Sequence, residues 1–367
     1  MRSLLTGLLL FLPLVALAQD PAPSPTPTPP SSAADVEAQI QKAVFEARAE
    51  ILNLLLDDEA GIADWVDKGD QLKSDEDFLG AAVHYAIALR VDPKLHDVAY
   101  QLACTFSLWG YSELALDWLE KAVTKGFWGH PVMVEDPDLE ALRKEARYLA
   151  ALKTVKGRYP AAAKANAGEA HLYAPSRPAP AEGWPVVVLM HGWGDSAESY
   201  RELAKEITAE GLVGLALPGA VPQMQNSYRW PIDSYESTHA YLQQRLNAER
   251  KRGNLDLSQV YLLGFSQGAL HAVGVLAGYP NHYRGALAIS PGGRLEAPTA
   301  IQGQTARRLT IVVGKEEPEG NRDLAEACVK LWQSKSLPVQ AIQHAGGHHF
   351  PEDFSDRLPK LLKWLQE

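Results

Sequence analysis

The sequence predicts an α/β domain, a mostly parallel sheet covered by helices, preceded by an all-α helical domain. Two observations predict this. From Gly168 onward, short β-branched runs alternate with amphipathic stretches of helical period, the pattern of strands buried on both faces by crossover helices. Before that, from about Ala34 to Tyr159, strand-like runs are few and the apolar spacing is helical. The 367 residues allow two domains, and 46% hydrophobic content suits a folded chain with a sizeable core.

Residues 1–18 read as a secretory signal. Arg2 is a minimal basic n-region, Leu4 to Leu17 the apolar stretch, and Ala16-Leu17-Ala18 an A-x-A cleavage site. The mature protein is therefore expected to be secreted or periplasmic. No other segment is long and apolar enough to cross a bilayer, so no membrane span is expected after cleavage. Residues 19–33 form a linker rich in proline (Pro21, Pro23, Pro25, Pro27, Pro29 and Pro30), an extended and semi-rigid spacer.

The helical domain, residues 34–160, carries an internal repeat with a period of 34. Gly69 pairs with Ala103, Leu72 with Phe106, Ala81 with Ala115, Tyr85 with Leu119 and Ala88 with Ala122. The units run Ile62–Leu95 and His96–Gly129, and Pro93 closes the first. This resembles the tetratricopeptide repeat, whose small residues let paired helices approach closely. Asp35–Leu56 and a helix starting at Asp136 are expected to cap the stack. The resemblance implies either a groove for a protein partner or a module that shields the second domain.

In residues 168–367 the expected strands are Glu169–Tyr173, Val186–Met190, Val213–Leu217, Val260–Leu263, Ala286–Ile289, Leu309–Val313 and Val339–Ile342. The expected helices are Ala197–Glu210, Ser234–Arg252, Gln267–Ala277, Arg322–Ser336 and Pro351–Gln366. Functional groups in such sheets gather at the carboxyl ends of the strands.

The central motif is Gly264-Phe265-Ser266-Gln267-Gly268, between an apolar strand and a helix. This is the G-x-S-x-G turn that holds a serine nucleophile in a strained backbone, with glycines where strand and helix crowd. Strand Val186–Met190 ends in His191-Gly192-Trp193-Gly194-Asp195. The amides of Trp193 and Gln267 are candidates for an oxyanion hole, where losing one donor costs about 10²–10³ in rate. His191 reads as structural. Asp195 and Glu198 have the spacing of a capping box.

A serine needs a base and the base needs an oriented acid. The loop after the last strand offers His348, with His349 as the alternative. The loop after Leu309–Val313 offers Glu316, Glu317 and Glu319, with Asp323 further on. The order nucleophile, acid, histidine is that of α/β-hydrolases.

Residues from about Gly168 to the end resemble the phospholipase/carboxylesterase branch of the α/β-hydrolases, the group that includes acyl-protein thioesterases. The matching motifs are Met190-His191-Gly192-Trp193-Gly194-Asp195, Leu217-Pro218-Gly219, Tyr228-Arg229-Trp230-Pro231, Gly264-Phe265-Ser266-Gln267-Gly268-Ala269, Ser290-Pro291-Gly292-Gly293 and Gly347-His348-His349-Phe350-Pro351. The family's acid is usually aspartate in G-x-x-D. Glu317 stands there, with Asp323 as runner-up. The resemblance implies hydrolysis of carboxylic esters or thioesters through an acyl-Ser266 intermediate, with no metal or cofactor. The stretch Ser290–Leu309 leaves no room for a large helical cap, so the site is expected to be shallow. Trp193, Tyr228 and Trp230 would line it as substrate-binding residues or pack into the core.

A net charge of −10 without a basic run excludes phosphate-driven nucleic-acid binding. Cys104 and Cys328 lack metal-ligand spacing and read as buried thiols. Two other readings stand beside the esterase. One is a protein-binding repeat protein with an inert hydrolase scaffold. The other is a serine peptidase of the same fold.

Overall fold

The computed structural model describes residues 32–49, 51, 60–303 and 307–367. The signal and almost all of the linker lie outside the described residues. The described chain divides into two compact units, one reaching Ala165 and the other Asn166–Glu367.

The first unit is helical. It contains α1 (Ala33–Glu46), α2 (Ala60–Ser74), α3 (Phe78–Val91), α4 (His96–Leu108), α5 (Ser112–Lys125), α6 (His130–Glu135), a 3₁₀ turn (Pro137–Leu142) and α7 (Ala146–Ala165). Small residues set the packing. A side chain at Gly69 would lie 2.7 Å from the Tyr85 ring, and Ala81, Ala88, Ala103, Ala115 and Ala122 are buried. The helix expected at Asp136 is instead a 3₁₀ turn, because Asp136 caps Asp138 N–H at 3.0 Å directly before Leu139 turns into the core. Cys104 is a buried free thiol here, as is Cys328 in the second unit.

The second unit is a seven-stranded sheet with order β1-β3-β2-β6-β7-β8-β9. Its strands are β1 (His171–Tyr173), β2 (Trp184–Met190), β3 (Val213–Leu217), β6 (Leu255–Phe265), β7 (Gly285–Ile289), β8 (Arg308–Gly314) and β9 (Val339–His344). Only β1 runs antiparallel to its neighbour; the remaining pairs are parallel. Alternate residues of β2 feed two cores. Val186, Val188 and Met190 face α9 (Tyr235–Gly253), α10 (Gln267–Gly278) and α11 (Glu319–Ser334). Val187 and Leu189 face α8 (Arg201–Ile207) and α12 (Phe354–Gln366). This is why the strands read as continuous apolar runs. The architecture is that of an α/β-hydrolase.

A two-stranded hairpin, β4 (Val221–Met224) and β5 (Ser227–Arg229), stands apart from the sheet. No signal in the sequence marks it. Its strands are too short and too mixed in polarity to show alternation, and the turn is carried by Asn226 at φ 54°.

Candidate active site

Strand β6 delivers Ser266 at its carboxyl end. Ser266 has φ 52° and ψ −118°, a region that a serine occupies only under strain, at a cost of about 1–3 kcal/mol. The two glycines of the motif make the turn possible. A Cβ at Gly264 would fall 2.3 Å from the Gly268 backbone, and one at Gly268 would fall 2.1 Å from Met190 O. The turn is pinned by Ser266 N–H donating to Ile289 O at 3.0 Å and Gly292 N–H donating to Ser266 O at 3.1 Å.

Loops after β9 and β8 bring up the other two groups. The Ser266 hydroxyl lies 2.9 Å from His348 Nε2. His348 Nδ1 is hydrogen-bonded to Glu317 Oε1. The carboxylate is buried, whereas Asp323 is exposed on α11. His349 is exposed as well and turns to Phe350 O at 2.8 Å. Of the alternatives left open by the sequence, the fold brings Glu317 and His348 to Ser266, and it leaves Asp323 and His349 outside. Burial by itself would raise the Glu317 pKa. The hydrogen bond and charge of His348, aided by Asn321, reverse this, and the net shift is downward.

Asn321 belongs to no motif in the sequence. It is buried on the first turn of α11, and its Nδ2 donates to Glu317 Oε1 at 2.9 Å and lies 3.2 Å from His348 Nδ1. The available signal was spacing, since Asn321 stands four residues after the acid at a helix start.

The Gly192–Gly194 turn abuts Ser266. A Cβ on Gly192 would stand 3.3 Å from Ser266 Cβ. Gln267 occupies the first position of α10, where an amide has no intrahelical acceptor. Trp193 N–H makes no backbone hydrogen bond among the described residues. Several bonds fix the turn. Gly219 N–H donates to His191 Nε2 at 2.7 Å, and His191 Nδ1 lies 2.6 Å from Gly192 O. Gly194 N–H donates to Tyr228 O at 2.9 Å, and Tyr228 N–H donates to Asp195 O at 3.0 Å. Burial lowers the His191 pKa, so the imidazole is a neutral strut.

Two of the three expected lining aromatics do not reach a substrate. Trp230 is fully buried, and its Nε1 donates to His191 O at 2.8 Å. Its backbone is paired with the Gln267 carboxamide, through N–H to Oε1 at 2.9 Å and Nε2 to O at 3.1 Å. Tyr228 is buried too, against the Gly168 and Pro218 side of the unit. Both belong to the scaffold of the turn after β2, Tyr228 through its backbone bonds to Gly194 and Asp195 and Trp230 through its bond to His191 O. Trp193 remains partly exposed at the site. The capping box is also different. Asp195 Oδ1 accepts from Ser196 N–H at 2.7 Å and Ser199 Oγ at 2.5 Å, while Glu198 pairs with Arg201 at 2.7 Å and His171 at 3.0 Å.

Several known proteins are similar to this chain. Residues 183–337 match the model of a hydrolase family described as serine aminopeptidase, S33. NocK of Nocardia uniformis subsp. tsuyamanensis, an esterase by its given name only, is 27% identical over 205 residues, which is 47% of this chain and 55% of that protein. The chain thus spans about half the length of that curated relative. Among solved structures, a carboxylesterase of Bacillus cereus aligns with TM-score 0.45 and 18% identity, covering 55% of this chain and 97% of that one. A carboxylesterase from Mesorhizobium loti aligns with TM-score 0.42 and 21% identity, over 50% of this chain and 90% of that one. The second unit has the fold of an α/β-hydrolase.

Proposed function

We propose that the protein is a serine hydrolase that cleaves carboxylic esters or thioesters through an acyl-Ser266 intermediate. One observation carries this reading: the Ser266 hydroxyl at 2.9 Å from His348 Nε2, with Nδ1 of the same ring held by buried Glu317. His348 takes the serine proton as Oγ attacks the carbonyl carbon. The carbonyl electrons move to oxygen, which the Gln267 and Trp193 amides receive. The tetrahedral intermediate collapses, the C–O or C–S bond breaks, and the His348 proton passes to the leaving group. Water, deprotonated by His348, then releases the acid and returns Ser266. Glu317 stays ionised and stabilises the imidazolium.

The decisive experiment is labelling by a fluorophosphonate probe together with hydrolysis of short p-nitrophenyl esters, wild type against Ser266→Ala. Loss of both in the variant is expected. Retention of more than about a tenth of wild-type turnover would exclude a serine mechanism. The description of the matched family favours one second reading, a serine peptidase, which an aminoacyl p-nitroanilide panel run beside the esters separates. The family resemblance in the sequence also keeps phospholipid and acyl-protein thioester substrates within the proposal.

Two further parts of the proposal rest on sequence. The chain is exported, with residues 1–18 as the signal, which the mass of the mature N-terminus tests. The repeats of the helical unit, tetratricopeptide-like by their register, hold a protein partner or shield the enzyme unit.

A further inference from the structure

One side chain joins the two backbone stretches whose amides would receive the carbonyl oxygen. The Gln267 carboxamide is buried and pairs twice with the Trp230 backbone. Trp230 N–H donates to Oε1 at 2.9 Å, and Nε2 donates to Trp230 O at 3.1 Å. This pairing fixes the orientation of the amide, since a backbone N–H needs an acceptor and a carbonyl needs a donor. Trp230 carries the link onward, its Nε1 donating to His191 O at 2.8 Å. His191 Nε2 accepts from Gly219 N–H at 2.7 Å, so Nδ1 carries the proton and donates to Gly192 O at 2.6 Å. Two residues before Trp230, Tyr228 O accepts from Gly194 N–H at 2.9 Å. Gly192 and Gly194, on either side of Trp193, are thus both tied within one or two bonds to the stretch Tyr228–Trp230 that the Gln267 side chain holds.

We propose that the Gln267 side chain is a positioning residue for the hydrolysis, holding the Trp193 amide at the distance from the Gln267 amide that an oxyanion requires. This rests on the esterase reading above. An oxyanion hole works only when its donors converge to within about 3 Å of one point. The two amides come from different elements. That of Gln267 is set by the first turn of α10, whereas Trp193 lies in a loop beyond the end of β2, between two glycines. Sheet register aligns the strands only as far as Met190 opposite Gly264, and the hairpin of β4 and β5 stands outside the sheet. The carboxamide bridges that gap from the same residue that supplies one of the donors. An apolar side chain of equal size would fill the space. It would leave Trp230 N–H and O unpaired in a dry site, each at a cost of about 1–3 kcal/mol, and the hairpin would shift to relieve it. Only a fork with one donor and one acceptor satisfies both groups at once.

The test is Gln267→Glu, whose carboxyl changes its hydrogen bonding with its proton. Protonated, it offers C=O to Trp230 N–H and O–H to Trp230 O, as the amide does. Ionised, it only accepts, and it sets an anion against Trp230 O. Burial raises the pKa of such a carboxyl. The measured quantity is kcat of the variant divided by kcat of wild type on one p-nitrophenyl ester, from about pH 5 to pH 9. The ratio should lie within about threefold of one in acid and fall about tenfold or more as the carboxyl ionises, with KM within about twofold throughout. The titratable groups around the clamp are His191 and Asp195 on the turn, Arg229 beside Trp230, and His271 against the Trp230 ring. Wild type shares them all, and His348, so they divide out. Gln267→Met keeps the bulk and loses both bonds; it should lower kcat about tenfold at every pH. A Gln267→Glu ratio that stays within about twofold of one across the range, or an unchanged kcat in Gln267→Met, would overturn the clamp and leave the carboxamide as packing. If neither variant folds, Trp230→Phe decides. It keeps the backbone pairing and removes only the bond to His191 O, so kcat should fall about threefold with KM unchanged, and no change would overturn the link. Fluorophosphonate labelling separates the two failures. A wild-type protein that takes no label refutes the hydrolase reading, whereas a labelled wild type with a flat Gln267→Glu ratio refutes only the clamp.

Discussion

Each unit of this protein buries a polar network, and the two end differently. In the helical unit, Tyr85 OH donates to Asp70 at 2.5 Å, Tyr100 OH donates to Asp136 at 2.9 Å, and Cys104 Sγ points to Asp136 at 3.5 Å. Lys73 Nζ spans Gln101 at 2.8 Å and Asp138 at 3.0 Å. Cys104, Asp136 and Asp138 could in principle hold a cation together. The Lys73 ammonium already supplies that positive charge. Burial acts to lower the Lys73 pKa, the charge of Asp138 outweighs it, and the net shift is upward. This network closes on itself. In the α/β unit the chain Asn321, Glu317, His348 ends instead on a hydroxyl held in a strained turn. Similar hydrogen bonds give packing in one unit and, on the function proposed above, chemistry in the other. The difference is whether the last member faces a place where a reacting atom can sit.

Breaking the open network should cost activity and leave the fold intact. His348→Ala should lower kcat/KM on a p-nitrophenyl ester by about 10³ or more, with the melting temperature within a few degrees of wild type. Glu317→Gln comes next. The amide can hold the imidazole in the wrong tautomer and cannot stabilise its cation, so kcat should fall by about 10³, while Asp323→Asn stays within about twofold. A reversed result in this pair would move the acid to α11.

The Glu317 substitution also has a signature in pH. A carboxyl whose folded pKa lies below its ordinary 4.5 contributes stability that is fully present above that value and is lost as pH falls through the folded one. Thermal melts of wild type and Glu317→Gln should therefore converge in acid and diverge above about pH 5.

Breaking the closed network should do the opposite. Lys73→Met leaves the partly buried Asp138 carboxylate without its cation, and the helical unit should lose about 1–3 kcal/mol in a denaturant titration. Fluorophosphonate labelling of Ser266 in native buffer should be unchanged. A loss of labelling would mean that the two networks are coupled. A smaller loss of activity than for His348 or Glu317 is expected from Asn321→Ala. It removes a positioning contact to Glu317 and should lower kcat about tenfold with KM nearly constant. Asn321→Asp, which sets a second carboxylate against Glu317, should be worse than Asn321→Ala.

The sequence by itself determined what local chemistry determines. The strand–turn–helix at Ser266 follows from an apolar run, two glycines where no Cβ fits, and a helix whose first amide is unsatisfied. The parallel sheet follows from strands apolar on both faces, and the helical character of the first unit from apolar residues at helical spacing. The tertiary structure decided everything that depends on where distant loops land. It set Glu317 rather than Asp323 beside His348, although both stand within one short acidic stretch, because only Glu317 lies in the buried turn between β8 and α11. It turned Trp230 and Tyr228 inward through a hairpin too short to leave a pattern in the sequence. It also gathered Arg229, Arg294 and Trp193 from three separate stretches of the chain whose residues share no spacing. Backbone geometry is written in neighbours along the chain, but a site made across a sheet's carboxyl edge is written in distances that no local pattern encodes.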